Sequence, residues 1–199
     1  FLPPGKVADF SGFQYLRDND PTQMGHNTDF VTIIARNVLN LLSPTQVAQL
    51  VERAKNQVSL INEYGYRRFP LMDAFRRLLA GTLPEGTTGL DLAAVNQYSG
   101  ELYQLDGWIS VDRAMLFGDI LRNLTSTQLA TLNGLAALGG VGNWPQNLPD
   151  PLQGLHLAPD ISVGVMTYAS EMYSWYAGSV AADTYFCPER QGTYFGSFY

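Results

Sequence analysis

The sequence predicts an all-α fold, an antiparallel bundle of about five to seven helices with irregular termini. Three observations support this fold class. Apolar residues recur at helical spacing through most of the 199 residues. Helix-capping residues precede several of these segments. The same helix–turn–helix corner also occurs twice, at Leu42–Leu50 and at Leu124–Leu132.

The first helix is predicted at about 29–42, and a second helix follows it directly. Ser43 is a good N-cap, Pro44 occupies the first helical position, and Gln46 can close a capping box. Because a proline inside a helix removes one backbone hydrogen bond, Pro70 predicts that the second helix kinks or ends around residue 65. A separate helical segment is then expected at about 66–80.

Downstream, Thr88-x-x-Asp91 opens a long helical region that is predicted to reach about residue 123, with a break near Gly107 as an alternative. Thr125 opens the next helix in the same way as Ser43. Glycine and proline then punctuate residues 139–160, which is typical of a surface connection. A last helix, rich in aromatic residues, is expected at about 161–177.

These segments fit a single helical domain covering residues 1–199. Its predicted parts are an irregular N-terminal arm at 1–28, a helical core at 29–138, a Gly/Pro-rich connection at 139–160, and an aromatic helix and tail at 161–199.

The two corners align over their flanks as well as at the turn. Leu42-Ser43-Pro44-Thr45-Gln46 matches Leu124-Thr125-Ser126-Thr127-Gln128, and the apolar positions of the preceding helices match too. This pattern favours two similar hairpins that pack together. Convergence is the alternative, because any capping box between two apolar faces produces a similar pattern.

Composition excludes some function classes. The net charge is -6, so a nucleic-acid surface is not expected, since phosphate binding needs clustered Lys and Arg. No apolar run is long enough for a transmembrane segment. Hydrophobic residues make up 46% of the chain and charged residues only 15%, which indicates a large buried fraction or extensive contact with a partner. A protein partner or self-association is therefore expected.

The corner sequence Leu124-Thr125-Ser126-Thr127-Gln128, with a looser copy at Leu42–Gln46, resembles the LTxxQ motif of helical periplasmic proteins, the Spy/CpxP-like family. The resemblance covers about a third of the chain and implies helical architecture, export and a chaperone-like or stress-sensing role. The chain begins at Phe1 rather than Met, as a mature exported chain or a trimmed chain would. We therefore expect an exported protein, periplasmic or extracellular, from which a signal segment has been removed.

The first candidate site is a metal site in the N-terminal arm. Oxygen ligands and one imidazole lie close together there, at Asp18, Asp20, His26 and Asp29. Such a set suits a divalent metal, the one cofactor that the sequence suggests. The alternative is structural: Asp18 and Asp20 form turns before Pro21, and Asp29 favours a helix N-terminus.

The second candidate is a thiol site at Cys187, with Glu189 and Arg190 close by. A thiolate beside positive charge can act as a nucleophile or a metal ligand. The alternative is a structural cysteine at a turn, with the two charged residues forming a local ion pair. No catalytic residue can be assigned from these patterns.

The third candidate is a partner-binding surface of aromatic residues after residue 167. Aromatic side chains bury a large area at low entropic cost and therefore anchor interfaces. The residues assigned to this surface are Tyr168, Tyr173, Trp175, Tyr176, Tyr185, Phe186, Tyr194 and Phe195. The alternative is ordinary core packing of the last helix and tail on the bundle.

Together these patterns predict an exported helical scaffold or chaperone-like protein, an assembly subunit that acts through protein–protein contacts. The alternative function, from a different class, is a metal- or cofactor-binding redox protein or enzyme that uses His26 with Asp29, or Cys187.

Overall fold

In our computed structural model, the backbone is described for residues 28–177 and the side chains for residues 32–109 and 111–173. This part of the chain is all-helical and contains no strand, so the predicted fold class is confirmed. The five helices are α1 (Thr28–Leu41), α2 (Pro44–Ala80), α3 (Leu92–Arg122), α4 (Ser126–Ala137) and α5 (Pro159–Ala177).

Helix α2 is continuous, which excludes the predicted end near Gly65 and leaves the alternative of a helix that continues past Pro70. It neither ends near Gly65 nor gives way to a separate segment at 66–80, but runs through Pro70 to Ala80. Gly65 is instead the last buried residue of α2. Beyond it the helix is largely exposed, and water can take the place of the backbone donor that Pro70 lacks.

Helix α3 is also continuous, without the break considered near Gly107. Its N-cap is Asp91, whose side chain accepts hydrogen bonds from the backbone N–H groups of Ala93 and Ala94. This cap satisfies donors that the first turn leaves without helical partners. The strong start and the length of the apolar face outweigh the cost of one glycine in the interior.

The core lies between α1, α2, α3 and α5. Helix α5 packs against both α1 and α2, and α2 packs against α3. Fully buried apolar side chains come from each of these helices: Ile34, Leu50, Ile109 and Val165 are at most 1% exposed. The core therefore includes the last helix and is not confined to residues 29–138.

The connection between α4 and α5 is tied to α1. Two amide side chains of α1 donate hydrogen bonds to its backbone, from Asn37 to the carbonyl of Pro145 at 2.9 Å and from Asn40 to that of Pro149 at 3.0 Å. Trp144 is buried and meets the ring of Tyr173 edge-on at 4.8 Å. This segment therefore contributes to the core as well as connecting two helices.

Both predicted corners form capping boxes. The side chain of Ser43 accepts from the backbone of Gln46, whose side chain in turn accepts from the backbone of Ser43. Thr125 and Gln128 make the same pair of bonds at the start of α4. The two corners thus use one local geometry, as their shared sequence predicts.

The two corners also bind each other reciprocally. The side-chain amide of Gln128 donates to the carbonyl of Leu41 at 3.0 Å, and that of Gln46 donates to the carbonyl of Asn123 at 3.4 Å. A third bond joins the two glutamines at 2.7 Å, and these residues are 82 positions apart. Each glutamine therefore satisfies the last turn of the helix that precedes the other corner.

Replacing Gln128 by alanine is expected to lower the free energy of unfolding by about 1–2 kcal/mol, because one half of a capping box and the bonds to the other corner are lost together. Urea denaturation followed by circular dichroism measures this change. Gln49→Ala, at an exposed position of α2, is the matched control and is expected to change little. Equal stability of the two variants would contradict a role for the reciprocal contact.

Candidate interaction surface

Helix α3 carries an apolar surface on the side that faces away from the core. We call it the outward strip, and it consists of Gly100, Gln104, Gly107, Trp108, Val111, Ala114, Met115 and Gly118. These residues recur at intervals of three and four, so they lie along one side of the helix. Trp108, Val111 and Met115 are 64%, 61% and 63% exposed.

The outward strip contains no charged residue. The nearest charged residues of α3 flank it and form ion pairs: Asp112 with Arg53, and Glu101 with Arg67 and Arg122 with Asp119 near its two ends. Helix faces that point to solvent are normally charged or polar, and an exposed apolar face is typical of a contact site. The outward strip is therefore a candidate functional surface, and further large apolar side chains are exposed on α2, among them Tyr66, Phe69 and Leu79.

A buried ion pair lies on the opposite side of α3. The side chains of Arg113 and Glu171 are 0% and 2% exposed, and Nη1 of the arginine donates to both carboxylate oxygens at 3.0 Å. The guanidinium also lies 4.7 Å from the ring centroid of Tyr168, a cation–π distance. This pair joins α3 to α5 inside the bundle.

A second set of polar contacts joins the same region to α2. The hydroxyl of Tyr168 donates to Gln57 at 2.8 Å, and the amide of Gln57 donates to the carboxylate of Asp112 at 2.7 Å. Arg53 of α2 forms a salt bridge with the same carboxylate. Because α3 is fixed to α2 and α5 on either side, its rotation is set and the outward strip faces solvent.

Burial changes the pKa values of Glu171 and Tyr168. It raises the pKa of the Glu171 carboxyl to about 7, although Arg113 acts in the opposite direction. Burial likewise raises the pKa of the Tyr168 hydroxyl to about 12. A substrate cannot reach an ion pair that is sealed in the core, so the cluster has a structural role.

Two residues of the predicted aromatic surface have described side chains, and both lie in the core instead of on the surface. Tyr168 and Tyr173 are 0% and 8% exposed, so they pack in the core and are not available as surface anchors. For these two residues core packing replaces partner binding, because α5 packs against both α1 and α2. The backbone of Trp175 and Tyr176 belongs to α5, whereas their side chains lie outside the described part.

The other predicted site residues are not brought together by the described structure. Asp29 is in the first turn of α1, without a described side chain. The remaining predicted site residues lie outside the described residues: Asp18, Asp20, His26, Tyr185, Phe186, Cys187, Glu189, Arg190, Tyr194 and Phe195. Residues 28–177 contain no group of three or more potential metal ligands. The metal and thiol sites stay predictions.

Neither the outward strip nor the buried ion pair was predicted from the sequence. The available signal for the strip was the run of uncharged residues at intervals of three and four between Gly100 and Gly118. For the buried pair it was the position of Arg113 among the apolar residues Ile109, Leu116 and Phe117, which share its side of the helix.

Over residues 28–177, no helix combines the length and the apolar character that crossing a membrane requires. No protein-family model, curated protein or solved structure matches this chain.

Proposed function

We propose that this chain is an exported helical scaffold that acts through protein–protein contacts, and that the outward strip of α3 is its contact surface. The observation that carries the proposal is the exposure of Trp108, Val111 and Met115 side by side on one helix. Large exposed apolar side chains on a fixed element are typical of protein interfaces, whose centres are depleted of charge.

The contacts that fix α3 in the bundle favour a scaffold function. Salt bridges and hydrogen bonds hold it to α2 and α5, so its surface is preorganised and little entropy is lost when a partner binds. The low charged fraction of the chain, 15%, agrees with a protein that buries surface against others. Export and chaperone-like binding are carried over from the resemblance of the two corners to the LTxxQ motif.

An aggregation assay tests this function. The full chain is added to a reduced, denatured model polypeptide, and light scattering follows aggregation. We expect the wild type to delay aggregation and the Trp108→Ser/Met115→Ser variant to lose most of the delay. The loss of two apolar anchors is expected to weaken binding of the polypeptide by at least about tenfold.

Leu79→Ser is the matched control, because Leu79 is 76% exposed but lies on α2, away from the outward strip. It is expected to delay aggregation as the wild type does, and circular dichroism checks that all variants are folded. A delay that is unchanged in the Trp108→Ser/Met115→Ser variant would refute the proposed contact surface.

A further inference from the structure

We propose that Asp106, Arg113 and Glu171 form a pH-sensitive switch inside the bundle, and that loss of one proton from this charge cluster loosens the packing of α5. The inference concerns the core and does not rest on the outward strip. Three observations carry it: the burial of all three charged side chains, the excess of carboxyl groups over cations, and the position of Glu171 on α5, which packs against both α1 and α2.

The charge cluster is sealed from water. Asp106, Arg113 and Glu171 are at most 1% exposed. Asp106 and Arg113 lie seven residues apart on α3, so they share one side of that helix. Long side chains of a helix extend toward its N-terminus, which is the direction from Arg113 to Asp106. The guanidinium donates to Glu171 of α5, and the charge of Asp106 acts on it as well.

The cluster contains two carboxyl groups and one guanidinium. If all three were ionised, the core would hold one uncompensated negative charge, which is costly where water is excluded. Arg113 stays cationic: burial alone lowers its pKa, but the charges of Glu171 and Asp106 contribute to raising the pKa above its usual value. The cluster is therefore neutral only when one of the two carboxyl groups holds a proton.

Glu171 is the carboxyl group that titrates near neutral pH. Burial raises its pKa to about 7, although Arg113 acts in the opposite direction. Asp106 acts on Glu171 through Arg113, because both carboxyl groups use the same cation, and groups coupled in this way titrate as a pair. As the pH rises above about 7, the cluster therefore gains a negative charge in the core.

Among the described residues, the other ionisable groups of the packed helices do not supply a second cation to Glu171. Tyr168, on the same helix, stays neutral because burial raises the pKa of its hydroxyl to about 12. From α2, Arg53 acts on Tyr168 and is already in a salt bridge with Asp112. Arg36 is the described ionisable side chain of α1, and it does not contribute to the pKa shift of Glu171.

The charge cluster connects two helices that can separate. Glu171 belongs to α5, whereas Asp106 and Arg113 belong to α3, so water reaches the ionised carboxylate when α5 moves away. Because α5 packs on α1 and α2, its movement also exposes apolar surface of those helices. The protonated cluster thus favours a packed α5, and the deprotonated cluster favours a loosened one.

The pH dependence of stability tests the role of the proton. Folding raises the pKa of Glu171 from 4.5 to about 7, so its stabilising contribution is present below 4.5 and is lost as the pH rises through 7. Urea denaturation of the full chain is compared at about pH 5 and about pH 8. Over this range, we expect the folding equilibrium constant to decrease by at least about tenfold more in the wild type than in Glu171→Gln.

Glutamine keeps the shape of the protonated side chain and cannot titrate, so an equal pH dependence in the wild type and Glu171→Gln would overturn the inference. Asp119→Asn is the matched control, because Asp119 is an exposed carboxylate of α3 in a surface salt bridge. It is expected to keep the wild-type pH dependence. Loss of that dependence in Asp119→Asn would equally contradict the assignment to the charge cluster.

A second variant tests the excess of carboxyl groups. Asp106→Asn leaves Arg113 to Glu171 alone, so the ionised cluster is neutral and the loss of stability should shift to lower pH. Circular dichroism confirms that the variant is folded. A loss at the same pH as in the wild type would show that Asp106 takes no part in the switch, and the proposed cluster would be wrong.

Thiol labelling tests whether α5 is the element that loosens. Ala169 lies on α5 and is 0% exposed, so Ala169→Cys in a Cys187→Ser background is labelled only when α5 opens. At about pH 8 we expect labelling to be at least about tenfold slower when Glu171→Gln is added. Both proteins are measured at one pH, which keeps the reactivity of the thiol equal. Equal labelling rates would refute the loosening of α5.

Discussion

Replacing Arg113 by methionine is expected to lower the free energy of unfolding by about 3–5 kcal/mol, the largest effect of a single substitution that we predict. Methionine fills similar space without a charge, and Glu171 is left in the core without its cation. Urea denaturation followed by circular dichroism measures the change. Arg122→Met is the control, because Arg122 is exposed on the same helix and its salt bridge with Asp119 is at the surface.

The loss in the free energy of unfolding caused by Arg113→Met should increase with pH. Folding already raises the pKa of Glu171 from 4.5 to about 7, so its stabilising contribution is present below 4.5 and is lost as the pH rises through 7. Without Arg113 the pKa rises further. The variant is therefore closer to wild type at about pH 5 than at about pH 8, where the buried Glu171 carboxyl must ionise without Arg113 beside it.

A double variant separates the ion pair from simple packing. Arg113→Met with Glu171→Leu removes both charges of the ion pair, and replacing a buried pair by apolar residues is often neutral or stabilising. Asp106 is also buried, its charge also acts on Arg113, and it stays in place. We therefore expect the double variant to recover part of the stability lost in Arg113→Met. A double variant as unstable as the single one would show that the charge of Glu171 is not the cause of the loss.

Replacing Gly164 by leucine is expected to lower the free energy of unfolding by about 2–3 kcal/mol, because α5 approaches α2 closely at this residue. A Cβ atom there would lie 2.9 Å from Cγ2 of Val58 and 3.5 Å from Cβ of Ala54. The larger side chain must displace one of the two helices. Thermal or urea denaturation measures the loss, and Gly134→Leu at an exposed helical glycine is the control.

Substitution of Gly164 in two backgrounds tests the cause of this loss of stability. Gly164→Ala should destabilise less than Gly164→Leu, since better helix propensity offsets part of the clash. In a Val58→Ala background the nearest atom is removed, so Gly164→Ala should become neutral or favourable. If it destabilises equally in both backgrounds, contact with Val58 is not the reason for the glycine.

Local chemistry made the corners and caps predictable. Ser43, Gln46, Thr125 and Gln128 form the capping boxes that their spacing predicts, because a capping box involves only residues three apart. The helix ends close to them were correspondingly well predicted. Local chemistry is a poorer guide in the long helices, where Pro70 and Gly107 do not interrupt the backbone because packing and neighbouring propensity outweigh one unfavourable residue.

Long-range contacts were not predictable in the same way. Arg113 and Glu171 are 58 residues apart, and a charged residue is usually on the surface, so nothing local indicates that they meet in the core. The position of α5 in the core also explains why Tyr168 is buried and not part of a surface. Tyr168 anchors the core by a hydrogen bond to Gln57, a contact between positions 111 apart.

The reciprocal corners have a consequence for cooperativity. Because Gln46 and Gln128 each complete the other corner, neither site reaches its full set of bonds until both helix pairs are in place. The two halves of the chain are thereby coupled, and loss of one corner weakens the other. Beyond Gly65 no residue of α2 is buried, so the far end of the α2–α3 hairpin can open on its own while the corner region unfolds as one unit.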